Sequence, residues 1–104
     1  MIYFEEKYDI PLPMINEFLK FAEEFPKAIK KMNLPYIKGW SMYQSKYQMG
    51  RFIEVWTIEE QANVDQLFQE ASTNPHFKHI PPKFFEYVVN GSHQIAFYTK
   101  LLST

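Results

Sequence analysis

Three histidines, a single arginine and one glutamate set among apolar residues are the side chains of this 104-residue chain with the strongest claim to chemistry. His76 and His79 stand three positions apart, a spacing that on one helical turn would point both the same way. With a carboxylate such as Glu86 they would make a metal site of ordinary type. Pro75, Pro81 and Pro82 break the helical geometry this needs, so no metal is expected and the pair reads as surface or pocket-rim histidines. His79 alone, between Phe77 and Ile80, could serve as a general base, since imidazole titrates near pH ~6.5; the plainer role is a ring nitrogen satisfied by a backbone carbonyl. Arg51 can clamp a substrate carboxylate or, more commonly, a glutamate of a partner subunit. Glu54 alternates with apolar residues, and burial there would raise its pKa and make it an acid or base; an ion pair with Lys or Arg is the duller option. The catalytic candidates are therefore His79, Arg51 and Glu54. Trp40, Tyr43, Trp56, His76 and Tyr98 are candidates for the walls of a pocket, and the aromatic four compete with a plain role in the core or a subunit seam.

Composition removes other chemistries. There is no cysteine, which excludes disulfides, thiolate zinc sites and thiol catalysis. The three glycines, Gly39, Gly50 and Gly91, stand alone, so no phosphate-cradling loop and no nucleotide cofactor is expected. No serine sits in a nucleophile elbow. Eleven basic against twelve acidic side chains give a net charge of -1, and the field that attracts nucleic acid is missing. No run of about 18 apolar residues occurs and no apolar leader follows Met1, so neither a membrane span nor a signal peptide is expected and a cytoplasmic location is. Hydrophobic residues make up 46% and charged residues 22%, the balance of a globular chain, here expected to be one domain over 1–104.

The elements that must position these residues follow from periodicity. Met1 to Ile10 reads as a strand with Ile2, Phe4 and Tyr8 on one side. Pro11 and Pro13 open a helix carrying Ile15, Phe18, Leu19, Ala22 and Ile29 at helical spacing, which Pro26 must kink or restart and Asn33 ends. Tyr36–Gln44 and Gly50–Ile58 form a hairpin. Val64, Leu67, Phe68 and Ala71 start a second helix capped at Asn63, interrupted by Asn74-Pro75 and Pro81-Pro82 before Phe84, Phe85 and Val88. Asn90-Gly91 makes a turn, and Ser92 to Leu102 alternates as a last strand.

The order is βαββαβ. Right-handed crossovers then place both helices on one face of a four-stranded antiparallel sheet, the ferredoxin-like α+β arrangement. The other face has no cover, yet the strands read apolar on both sides: Phe52, Trp56 and Ile58 against Ile53 and Val55, Trp40 and Met42 against Ile37 and Tyr43, Ile95, Phe97 and Leu101 against Ala96, Tyr98 and Leu102. Large aromatics bury about 150–250 Å² each, and a soluble monomer's largest apolar patch is about 300–600 Å². Three exposed aromatics would strain that limit, so a second copy packed sheet to sheet is expected.

With Phe52-Ile53-Glu54-Val55-Trp56 on the third strand and Asn74-Pro75-His76-Phe77 before the last, the chain resembles the dimeric α+β barrel superfamily, most of all its small NIPSNAP-type and antibiotic-biosynthesis-monooxygenase-type members. The resemblance implies a homodimer with a small apolar pocket in each subunit. It implies a cofactor-independent monooxygenase- or isomerase-like activity on a small aromatic or carbonyl compound, or else a non-catalytic binding or regulatory module, or haem binding. Haem-degrading members use an asparagine on the first strand, a tryptophan on the second helix and a histidine four residues after a phenylalanine like Phe77. This chain has neither of the first two, and Pro81 stands in the third place.

Overall fold

The first strand, β1 (Ile2–Asp9), is one of the two inner strands of the sheet: β3 (Arg51–Ile58) lies antiparallel on one side of it and β4 (Gln94–Thr99) on the other. β2 (Ile37–Gln44) joins the outer edge of β3, giving the antiparallel order β2-β3-β1-β4. This computed structural model describes residues 1–60 and 62–104. The sheet order and the two crossovers are the ferredoxin-like arrangement expected.

Among the described residues each crossover carries two short helices, the restart that Pro26 and the Asn74-Pro75 and Pro81-Pro82 interruptions left open, and proline is the reason. After a 3-10 turn at Leu12–Met14, α1 (Ile15–Ala22) gives way at Glu23 to α2 (Glu24–Met32). Pro26 thereby falls in the first turn of α2, where its missing N–H breaks no helical bond. Asn33 ends α2 with φ 53°, a left-handed cap that asparagine tolerates. In the second crossover α3 (Val64–Thr73) starts where the Asn63 side chain accepts from the Asp65 N–H at 2.9 Å. After the turn that follows Asn74, α4 (Ile80–Tyr87) holds Pro81 and Pro82 in its own first turn.

Strand parity sorts the side chains. Phe4, Tyr8, Phe52, Trp56 and Ile58 point to the helices and are buried against Phe18, Phe21, Phe25, Leu67, Ile80 and Phe84. On the helix-free face stand Tyr3, Ile53, Val55 and Ala96, half-buried, with Tyr43 and Tyr98 exposed. Two expectations need correction. Ile37 was placed beside Tyr43, but an irregularity between Ile37 and Gly39 shifts the register and sets Ile37 opposite Ile58 on the helix-covered side. The last strand stops at Thr99, not near Leu102, because β1, its one partner among the described residues, begins with the Ile2–Thr99 pair and offers nothing further to bond.

Candidate functional site

Between the helix-covered face of β1, β3 and β4 and the helices α3 and α4 lies a cavity of about 230 Å³. Its walls are largely aromatic, with Phe4 and Trp56 from the sheet and Phe68, Phe77, Phe84 and Phe85 from the second crossover. Trp56 meets Phe77 edge-on at 6.1 Å. Into this apolar wall the sheet inserts two carboxyl groups, Glu6 and Glu54, which are Cα partners across the β1–β3 pair and therefore share a face.

The four carboxyl oxygens each have a different partner. Tyr8 Oη donates to Glu54 Oε2 at 2.7 Å and Trp40 Nε1 to Glu54 Oε1 at 3.0 Å. Trp56 Nε1 donates to Glu6 Oε2 at 3.2 Å, and His93 Nε2 lies 3.0 Å from Glu6 Oε1. The register explains the pattern: Tyr8 pairs with Phe52, Trp40 with Trp56 and Phe4 with Trp56, so each donor on a strand sits one diagonal step from the carboxyl that it holds. Diagonal neighbours lie within reach of long aromatic side chains. Tyr8 is fully buried, with its ring edge-on to Phe84 at 4.7 Å, which fixes the phenol in place.

Among the described residues Glu54 is the one charged-type residue in the core, 3% exposed. Burial first, and then the negative charge of Glu6, push its carboxyl up to about 8, against the downward pull of the Tyr8 and Trp40 hydrogen bonds. Burial, followed by the charge of Glu54, raises the Tyr8 phenol far out of the physiological range, so it acts as a donor and never as a base. His93 closes one end of the wall, its ring edge-on to Phe85 at 5.2 Å. Among the described residues, the ionisable side chains on the cavity wall are Glu6, Glu54 and His93; no lysine or arginine reaches it.

The residues singled out from sequence divide three ways. Glu54 and Trp56 line the cavity, and Trp40 stands behind it as a hydrogen-bond donor to Glu54. His76 and His79 do not reach it: Phe77 and Ile80 turn inward and are buried, which leaves both histidines exposed on the outside of the bend. Among the described residues no three His, Cys, Asp or Glu side chains gather as a metal site. Arg51, Tyr43 and Tyr98 sit on the helix-free face, where Arg51 makes a bidentate pair with Asp9 at 2.9 and 3.1 Å. No partner glutamate or substrate is needed to satisfy that guanidinium. Sequence reasoning passed over Glu6, Tyr8 and His93 as site residues. The signal was present, since Glu6 alternates with Phe4 and Tyr8, and His93 with Ile95 and Phe97.

The architecture is a ferredoxin-like α+β fold, and solved structures share it over nearly the whole chain. An antibiotic biosynthesis monooxygenase superposes with a TM-score of 0.71 at 13% identity, covering 98% of this chain and 100% of that one. An uncharacterized NIPSNAP domain protein from Burkholderia xenovorans gives 0.70 at 16% identity, with 97% and 95% covered. A conserved protein from Methanosarcina mazei Go1 gives 0.71 at 18% identity, with 96% and 92% covered. No protein-family model matches the chain, and no curated protein matches it. At these identities the likeness speaks for the fold, and the reading of function must come from the cavity.

Proposed function

We propose that this chain is a homodimeric small-molecule-binding protein that works as a cofactor-independent, monooxygenase- or isomerase-like enzyme on a small aromatic or carbonyl compound. One observation carries the reading: a carboxyl that is 3% exposed stands in the wall of an aromatic cavity of about 230 Å³. A buried acid with a raised pKa beside a second carboxylate is an arrangement suited to proton transfer and expensive to keep for packing alone. Volume sets the ligand class, since an apolar cavity of about 150 Å³ takes up benzene; this one suits a body of one or two rings. A porphyrin is far larger, which disfavours haem. The neighbours described as antibiotic biosynthesis monooxygenases lend the enzymatic reading support by fold alone.

The second copy is proposed to cover the helix-free face, where Tyr3, Tyr43 and Tyr98 surround Ile53 and Val55. No helix of the described chain is long and apolar enough to cross a membrane, and with nucleic acid disfavoured by charge the proposed partners are the twin subunit and the ligand.

The test is a thermal-shift panel of phenols and cyclic ketones of one and two rings, with haem followed by absorbance. A ligand present at about 100 times its Kd stabilises the native state by about 2.7 kcal/mol, a shift large enough to read directly. A panel that leaves the melting temperature unmoved throughout would reduce the chain to a module whose aromatic interior serves packing only.

A further inference from the structure

The two carboxyls share a wall but not an environment. Glu54 is sealed in the core between Tyr8 and Trp40, whereas the Glu6 side chain keeps 17% of its surface and is held by Trp56 and His93. When surroundings drive two neighbouring acids apart, one is left holding a proton and the other free to take one. The four hydrogen-bond partners also fix both side chains, so neither has to reorganise when charge moves. Among the described residues no lysine or arginine lines the wall, and its one imidazole, His93, is engaged by Glu6, so no free cation receives an anionic ligand and the negative charge of Glu6 repels it. An ammonium ligand would favour two ionised carboxylates, a state that the burial of Glu54 opposes. What remains is an uncharged ligand that offers an acceptor oxygen to Glu54 and a carbon to Glu6.

We propose that Glu6 and Glu54 are a base–acid pair that enolises an uncharged carbonyl compound of one or two rings, its flat body held between the aromatic walls. Glu6 takes the proton from the carbon next to the carbonyl. The electron pair of that C–H bond becomes the new C=C bond, and the carbonyl π pair takes the proton of Glu54, leaving an enol, a neutral Glu6 and an ionised Glu54. Return of a proton from Glu6 to the same carbon or to a conjugated one, and of the enol proton to Glu54, closes the cycle with no oxidant or reductant. The net result is proton exchange or a double-bond shift. His93 and Trp56 act as positioning residues for the base, and Tyr8 and Trp40 for the acid.

This inference rests on the small-molecule reading above and names its substrate class and reaction. The experiment incubates the full chain with 3-cyclohexen-1-one and with 2-indanone in D2O and follows exchange and double-bond migration by proton NMR. Saturation transfer on the same samples reports binding, with benzoate and benzylammonium as charged controls. Expected are binding of the ketones in preference to both ions and exchange accelerated at least ~10²-fold over buffer, the range of general acid–base catalysis. The acceleration should fall away as pH rises through about 8, where Glu54 gives up its proton. Glu6→Gln and Glu54→Gln should each remove most of it while ketone binding persists.

Ketones that bind without exchanging would overturn the acid–base pair and leave the small-molecule reading standing. Preference for benzoate or benzylammonium would overturn the choice of an uncharged substrate, and binding of no member of the set would sink both readings. Should either variant fail to fold, the wild-type rate and its pH profile decide the matter alone.

Discussion

Glu6 and Glu54 face each other across two antiparallel strands on the side of the sheet that the helices cover, in register as Cα partners. Two acids directly opposite on a buried face repel if both ionise, so the pair calls for burial that favours the proton on Glu54 and for hydrogen bonds that hold both carboxyls. Trp56 serves both needs. Its ring walls the cavity beside Glu54, while its Nε1 holds Glu6.

The first consequence is a pH dependence of stability with an uncommon sign. Folding raises the Glu54 carboxyl from 4.5 to about 8, so the native state binds more protons than the unfolded chain between these values. Stability must then fall as pH rises from about 4.5 to about 8 and level off above, the reverse of a salt-bridged carboxylate. Glu6, Tyr8 and His93 face the same site and sharpen or blunt the curve, but the slope belongs to Glu54. Urea melts from pH 4 to pH 9 on wild type and Glu54→Gln should show a decline on the order of a few kcal/mol in the first and little of it in the second. Parallel curves for the two proteins would refute the assignment.

Removing a single clamp separates the hydrogen bonds from the packing. Trp40→Phe keeps an aromatic ring against Phe25, which meets Trp40 at 6.2 Å, but deletes the N–H that Glu54 Oε1 accepts. A buried polar group that loses its partner costs about 1–3 kcal/mol. Because that bond lowers the Glu54 pKa, the midpoint of the pH–stability decline should also move upward. Denaturant titration at pH 6 and pH 9 reads both effects; a loss of stability with an unmoved midpoint would mean that Trp40 serves packing only.

Much of this was legible in the chain before folding. Period-2 alternation with turns at Asn33 and Asn90-Gly91 gave strands and order, and Gly91 does take φ 83°. Glu54 was readable because Phe52, Trp56 and Ile58 flank it in strict alternation. Glu6 obeys the same rule between Phe4 and Tyr8, yet Glu5 and Lys7 on either side disguise it as one of a solvated run. Trp40 and Tyr43 are three apart on one strand and so fall on opposite faces, which means that no single pocket can take both. The outward position of His76 and His79 was hidden for a different reason. Which of Phe77, His79 and Ile80 turns inward depends on how the segment after Asn74 docks on the sheet, and apolar burial decided for Phe77 and Ile80.

Gly50 is constrained by approach rather than by backbone conformation. A Cβ there would stand 2.7 Å from the Ile10 carbonyl oxygen, in the hairpin whose Gly50 carbonyl accepts from the Ile10 N–H at 2.8 Å. Gly50→Ala should therefore push the hairpin off the end of β1 and destabilise the chain by about 1–3 kcal/mol. Gly39→Ala serves as the control, since its nearest neighbours, at 3.7 Å, are in ordinary contact. Equal melting temperatures for the two variants would contradict the geometry.

Occupying the cavity from its own wall tests whether ligands enter there. Ala71 lines it from α3 and is half-buried, so Ala71→Leu extends an apolar side chain into the space. The change should leave stability within about 1–3 kcal/mol of wild type and abolish the thermal shift produced by ring compounds. A ligand shift that survives intact would place binding elsewhere, for instance in the second cavity, of about 450 Å³, around Val88 and Val89.

The helix-free face gives the last test. Val55 lies at its middle, between Ser41 on β2 and Glu5 on β1, with Ile53 and Thr57 beside it on the same strand. Stable protein interfaces bury about 800 Å² per partner and exclude unpaired charge from their centre. A lysine at this spot would carry an ammonium group, only part-balanced by the neighbouring Glu5, into the seam of a sheet-to-sheet dimer, where it would have to be desolvated. Light scattering should report twice the 12.5 kDa chain mass for wild type and the single mass for Val55→Lys. Because position 55 points away from the cavity, ketone binding by the variant should change only as far as dimerisation shapes the pocket. A wild-type particle of 12.5 kDa would remove the twin subunit from the proposal while leaving the Glu6–Glu54 site intact.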